Sequence, residues 1–81
     1  MTIQVKLFAI LRDKAGVGEI SLELPDGASV HAASTALAER LPVIRQYLSP
    51  AAYAVNRTYA GVGTVLREGD ELAVIPPVSG G

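Results

Sequence analysis

The chain has 81 residues, enough for one small domain with a single core. Lys and Arg number 7 and Asp and Glu number 8, which gives a net charge of -1. The chain has no excess of basic residues of the kind that binds phosphates, so we expect no nucleic-acid partner. The absence of Cys excludes disulfides, thiolate metal sites and persulfide chemistry on a side chain.

Two strands are predicted in the first third of the chain. Residues 3–7 and 20–24 both alternate apolar with polar side chains, the period of a half-buried strand. The segment 11–15 between them tolerates a helix, and Gly16 and Gly18 mark a turn. Phe8 breaks the first alternation. We prefer a core position for it at the strand end, and the alternative is an exposed anchor for a partner.

One main helix is predicted in the middle of the chain. Its apolar residues have helical spacing: Val30, Ala33, Leu37 and Leu41. Ser29 or Asp26 is the candidate N-cap, and Pro42 ends the helix. Residues 43–48 are predicted to form one further short turn.

The second half favours three more strands. Residues 51–56 predict a strand with Tyr53 and Val55 on one face, and residues 59–60 predict a weaker one after a tight turn at Asn56. Gly69 is the candidate for positive φ in the next turn, and residues 72–75 form the last strand. This order predicts an α+β fold, a mixed sheet of about five strands with one main helix packed on one face.

The body of the chain carries no catalytic pattern in its sequence. His31 is the single histidine, lies near a helix start and is interpreted as a surface residue, so no metal site is expected. Asp13, Asp70 and Glu71 are interpreted as solvated charges beside turns. Arg12 is either solvated or a partner contact.

The final segment, Pro76-Pro77-Val78-Ser79-Gly80-Gly81, is predicted to be an extended arm. Two prolines stop a strand and favour extended backbone, and six extended residues reach about 20 Å. Glycines lack side chains and therefore fit a narrow slot. A terminal carboxylate is ionised and a poor electrophile near neutral pH, so carrying a group would require activation by an ATP-using partner. The alternatives are a frayed end or a linker remnant.

The C-terminal string resembles the small subunit of molybdopterin synthase, the MoaD family of sulfur carriers. The resemblance rests on Pro-Pro-Val-Ser-Gly-Gly at 76–81, on Gly69-Asp70-Glu71 before it, and on residues 3–9 and 54–56. It extends over essentially the whole chain. It implies a ubiquitin-like β-grasp domain over residues 1–75 and an extended tail over residues 76–81.

The resemblance also implies a function. A MoeB-like activating enzyme uses Mg-ATP to adenylate Gly81, sulfur replaces the adenylate to leave a thiocarboxylate, and the sulfur passes to cyclic pyranopterin monophosphate. The catalytic pocket belongs to a MoaE-like large subunit in a heterotetramer, so this chain is a sulfur-donating subunit that binds no cofactor or metal itself.

Individual residue roles follow from the resemblance as well. Gly81 is the site of adenylation and thiocarboxylation, and Phe8, Arg12 and Ile75 form the partner interface. Val74 and Ile75 depart from the family, in which many members carry an aromatic residue just before Pro-Pro. The tail is expected to thread into the partner through five residues: Pro76, Pro77, Val78, Ser79 and Gly80.

Three alternatives stay open: a carrier for another pathway such as thiamine thiazole synthesis, a ubiquitin-like protein modifier, and a non-covalent interaction module. Residues 1–6 lack the regions of a signal peptide, and no apolar run approaches the about 20 residues that span a bilayer. We therefore expect a cytoplasmic protein without a membrane partner.

Overall fold

The computed structural model describes residues 1–77. In chain order the strands are β1 (Thr2–Leu7), β2 (Glu19–Glu23), β3 (Ala52–Val55), β4 (Thr58–Ala60) and β5 (Glu71–Ile75). The helices are α1 (Ala9–Ala15), α2 (Val30–Arg40) and α3 (Arg45–Leu48), with a 3₁₀ turn at Pro42–Ile44.

The five strands form one mixed sheet in the order β2-β1-β5-β3-β4. The neighbouring strands β1 and β5 run parallel, and the other pairs are antiparallel. The predicted α+β architecture is therefore confirmed. The parallel pairing places the C-terminal ends of β1 and β5 at the same edge of the sheet.

The core lies between the sheet and α2. Every second residue of β1 is buried, as the alternation predicts, and α2 buries Val30, Ala33 and Leu37 against them. Ser29 is the N-cap of α2, since its Oγ accepts a hydrogen bond from the Ala32 N–H at 3.2 Å. α2 ends at Arg40, one residue before the predicted end, because Leu41 leaves helical backbone with φ -130° and ψ 74°.

Two segments are more helical than predicted. Residues 9–15 form a full helix that buries Leu11 completely, and residues 42–48 form the 3₁₀ turn followed by α3, which bury Ile44 and Leu48. Each segment is short, so a single buried side chain per turn decides its structure more than intrinsic helix propensity does.

The preferred core position for Phe8 is wrong. The Phe8 side chain is 45% exposed and follows the last residue of β1 in extended backbone. Leu11 and Leu7 fill the core at this end instead, at 0% and 2% exposure. Phe8 therefore presents an aromatic ring to solvent, as in the alternative interpretation.

Asp70 and Glu71 are partly exposed, in keeping with their interpretation as solvated charges, and both also make specific contacts that the sequence did not predict. The Asp70 carboxylate accepts hydrogen bonds from the Arg67 N–H at 2.8 Å and from Asn56 Nδ2 at 2.9 Å. Glu71 Oε2 lies 3.2 Å from Lys6 Nζ. These contacts join the turn before β5 to the β3–β4 turn and to β1.

Candidate partner-binding site

The helices cover one face of the sheet, and the opposite, outer face carries a second set of alternating side chains. Lys6 on β1 is paired with Ala73 on β5, and Ala73 is paired with Ala54 on β3. Ala54 is paired in turn with Tyr59 on β4. The register therefore places a row of Lys, Ala, Ala and Tyr across four neighbouring strands.

The two alanines of this row form the base of a shallow groove of about 550 Å³. Ala54 and Ala73 are small, so the sheet surface is lower there than at the aromatic residues Phe8 and Tyr59, which are 45% and 76% exposed. We call this surface the outer groove. It is lined by Lys6, Phe8, Ala54, Arg57, Tyr59, Glu71, Ala73 and Ile75.

The outer groove has an apolar centre and charged residues at its rim. Lys6 and Glu71 form an ion pair at 3.2 Å, which neutralises both within the rim. Arg57 has no ion-pair partner within residues 1–77. Among residues 1–77, the groove lining thus has one cation without an ion pair, Arg57, beside exposed aromatic side chains.

The outer groove adjoins the root of the predicted tail. Leu7 of β1 is paired with Val74 of β5, so Phe8, which follows β1, and Ile75, the last residue of β5, lie at the same edge and both line the groove. Pro76 follows half-buried and Pro77 exposed. The predicted site residues Val78, Ser79, Gly80 and Gly81 lie outside the described residues.

Arg12 lies near this edge and does not line the groove. Its guanidine end packs over Gly18, where an added Cβ would come within 3.3 Å of Arg12 Nε. The Gly18 carbonyl accepts a hydrogen bond from the Leu7 N–H at 2.9 Å, which fixes this position beside the end of β1. The structure thus brings Phe8 and Ile75 together and places Arg12 beside the same strand end.

Most of the groove was not recognised from sequence. Placing Tyr53 and Val55 on one face implies that Ala54 points the other way, which was the available signal for the groove base. The sequence pattern does not specify the strand register, and only the register brings four other lining residues next to Ala54: Lys6, Arg57, Tyr59 and Ala73.

A second depression of about 490 Å³ lies on the helix side, between α2 and α3. Its buried polar atom is the Tyr53 hydroxyl, which donates to the Leu48 carbonyl and accepts from Ser34 Oγ, both at 2.9 Å. His31 borders the depression and is exposed, as predicted. The Tyr53 hydroxyl joins α2, α3 and β3, which is a structural role.

The described part of the chain has neither a cluster of metal-binding side chains nor a helix that could span a membrane. Residues 1–77 hold no group of three or more His, Asp or Glu side chains arranged to bind a metal ion. Over the same residues, no helix has the length and apolar character that crossing a bilayer requires.

Comparison with known proteins identifies relatives over the full length. A family profile described as the ThiS family matches residues 5–81. The chain is 34% identical over 79 residues to the molybdopterin synthase sulfur carrier subunit of Arabidopsis thaliana, covering 98% of this chain and 82% of that protein. It is 36% identical over 83 residues to the protein of the same name from Chlamydomonas reinhardtii, covering 100% of both.

Solved structures confirm the expected ubiquitin-like β-grasp fold. SAMP1 from Haloferax volcanii matches with a TM-score of 0.91 and 30% identity over 100% of both chains. A chain from the complex of subunits 1 and 2 of molybdopterin-converting factor from Helicobacter pylori matches with a TM-score of 0.71 and 21% identity over 100% of both chains. At that identity, the second likeness concerns the fold alone.

Proposed function

The chain belongs to the ThiS family, and we propose that it is the sulfur carrier subunit of a molybdopterin synthase. The observation that carries the proposal is the identity of 34% and 36%, over nearly all of this chain, to two proteins named as that subunit. The outer groove beside the tail root supports it, since a carrier needs a surface that partners can hold while its end reacts.

The proposed reactive group is the carboxyl of Gly81. The carboxylate attacks the α-phosphorus of ATP, and pyrophosphate leaves. A sulfur nucleophile then displaces AMP to form the thiocarboxylate. In the synthase, the thiocarboxylate sulfur forms a bond to cyclic pyranopterin monophosphate, and water then hydrolyses the acyl–sulfur bond, which leaves the sulfur on the substrate and regenerates the carboxylate. Residues 76–80 thread the partner's site, and two carriers supply the two dithiolene sulfurs.

Two protein partners and one nucleotide follow from this proposal. A MoeB-like activating enzyme supplies Mg-ATP chemistry, and a MoaE-like large subunit supplies the catalytic pocket within a heterotetramer. The carrier itself contributes the reactive end and a binding surface that includes Phe8, Ile75 and, at its margin, Arg12. We place the reaction in the cytoplasm.

The decisive experiment is the intact mass of the protein after incubation with Mg-ATP, a MoeB-like enzyme and a sulfur donor. We expect a mass gain equal to the exchange of one oxygen for one sulfur, mapped to Gly81 by fragmentation. No gain with an enzyme that charges another carrier would contradict the proposal.

Two variants test the role of the end itself. Gly81→Ala and a variant with one residue added after Gly81 should melt at the wild-type temperature and yet fail to transfer sulfur, since the reacting carboxyl would be blocked or displaced. Sulfur transfer by the extended variant at the wild-type rate would exclude this mechanism.

The alternative functions give different products in the same system. A protein modifier would form isopeptide-linked species of higher mass in cells, whereas a dedicated carrier forms few. A thiazole carrier would be charged equally well and would not co-purify with a large synthase subunit. Co-purification therefore separates the two carrier roles.

A further inference from the structure

We propose that Arg57 is a specificity-determining residue that binds a carboxylate on the large synthase subunit. An apolar side chain next to that carboxylate would occupy the outer groove. The inference rests on the proposed function for the identity of the partner, and it adds the chemistry that the partner surface must present.

The charge distribution of the groove supports this assignment. Of the two cations that line it, Lys6 is already paired with Glu71 at 3.2 Å, whereas Arg57 has no ion pair within residues 1–77. A guanidinium presents several N–H donors in a planar fork that matches a carboxylate. A partner carboxylate would therefore meet Arg57 without displacing an existing ion pair.

The backbone at Arg57 is the second observation. Asn56 and Arg57 have φ of 50° and 70°, so both central residues of the β3–β4 turn adopt left-handed backbone. The second position of such a turn is one that glycine favours strongly. An arginine there lowers stability relative to glycine, and strain of this kind is typical of positions whose side chain serves a function.

The surroundings of Arg57 explain how one ion pair could influence affinity. Its neighbours in the outer groove include Tyr59, Ala54 and Ala73, which are apolar or aromatic. The two alanines are already buried, whereas Tyr59 is 76% exposed. A partner that covers Tyr59 excludes water beside Arg57, and a charge-assisted hydrogen bond becomes stronger where water is excluded. Complementary charges at an interface also suppress binding to wrong partners.

The test measures binding of the cognate large subunit to the full-length carrier at low and moderate salt. Arg57→Gln and Arg57→Gly are compared with wild type, and Arg40→Gln at the exposed end of α2 is the matched control. We expect both Arg57 variants to bind at least about tenfold more weakly at low salt, with a smaller salt dependence than wild type. Arg40→Gln should behave as wild type.

The Tm is a second readout, and it would change differently if the role of Arg57 were only structural. Arg57→Gly relieves the left-handed backbone and should raise the Tm by about 2–4 °C while binding weakens. A loss of affinity together with a gain in Tm would support recognition through the side chain.

The results that overturn the inference are distinct from those that overturn the function. Binding of Arg57→Gln within twofold of wild type at low salt excludes the carboxylate contact. If the wild-type protein does not bind the large subunit, that subunit is excluded as the partner in the outer groove. The sulfur-charging experiment on wild type tests the function independently of Arg57.

Discussion

Single residues with unusual backbone lie next to the outer groove. Ala9, Asn56 and Arg57 are non-glycine residues with positive φ within the described chain. Ala9 follows the exposed Phe8, and Arg57 lines the groove rim. Left-handed backbone destabilises an L-residue by about 1–2 kcal/mol, so the local strain is concentrated beside the surface that we assign to partners.

Ala9 gives the residue-scale prediction. Its φ of 50° suits glycine, and Ala9→Gly should raise the free energy of unfolding by about 0.5–1 kcal/mol, because relief of strain exceeds the added flexibility of the unfolded chain. Urea denaturation measures the change. Ala36→Gly, within regular α2, is the control and should lower stability by about 1 kcal/mol or more. Equal losses in both variants would contradict the backbone argument.

At the scale of the elements, the β3–β4 hairpin is held by hydrogen bonds to a turn that is distant in the sequence. Asn56 Nδ2 donates to Asp70 Oδ1 at 2.9 Å, and Asn56 Oδ1 accepts from the Glu71 N–H at 3.0 Å. The Asn56 N–H also donates to the Glu71 carbonyl at 2.8 Å. Asn56 therefore combines two tasks, left-handed backbone in its own turn and side-chain bonds to the start of β5.

Two substitutions separate these tasks. Asn56→Gly keeps the backbone freedom and loses the side-chain bonds, so it should destabilise the protein by about 1 kcal/mol. Asn56→Ala loses both and should destabilise it by about 2–3 kcal/mol. Thermal unfolding of both variants gives the comparison. An alanine variant as stable as the glycine variant would mean that the φ of 50° is not required.

Across the whole molecule, the sheet has two faces with different roles. The inner face, with α2 and the shorter helices, supplies the buried core. The outer face keeps an apolar groove open to solvent, and groups of exposed apolar side chains commonly mark interaction sites. The β1–β5 pairing places this groove and the tail root at one edge, so a partner can hold the body and reach the end.

The Phe8→Ala variant tests whether the outer face serves binding and the inner face serves stability. Phe8→Ala should change the free energy of unfolding by less than about 1 kcal/mol, because the ring is only half-buried, and should weaken binding of the large subunit by more than about tenfold. Val43→Ala is the matched control, since Val43 is 53% exposed and lies in the 3₁₀ turn away from the groove. Calorimetric titration measures the binding of the large subunit to both variants. Equal binding by the two variants would place the interface elsewhere.

Several features were determined by the sequence alone, because they depend on neighbours in the chain. Alternation predicted β1 and β2, helical spacing and Ser29 predicted α2, and Gly69 occupies its turn with φ of 81°. The resemblance of residues 76–81 and of the body to known carriers also required no coordinates. Family membership and the full-length relatives support that resemblance.

Other features were decided only by the tertiary structure. A period of two assigns a side chain to a face but does not choose the strand beside it, so the Ala54–Ala73–Lys6 row became visible only with the register. Phe8 is exposed because Leu7 and Leu11 fill the core next to it. Asn56 and Asp70 meet across 14 residues of sequence. Each outcome depends on contacts between distant segments, which compete for the same core volume and hydrogen-bond partners.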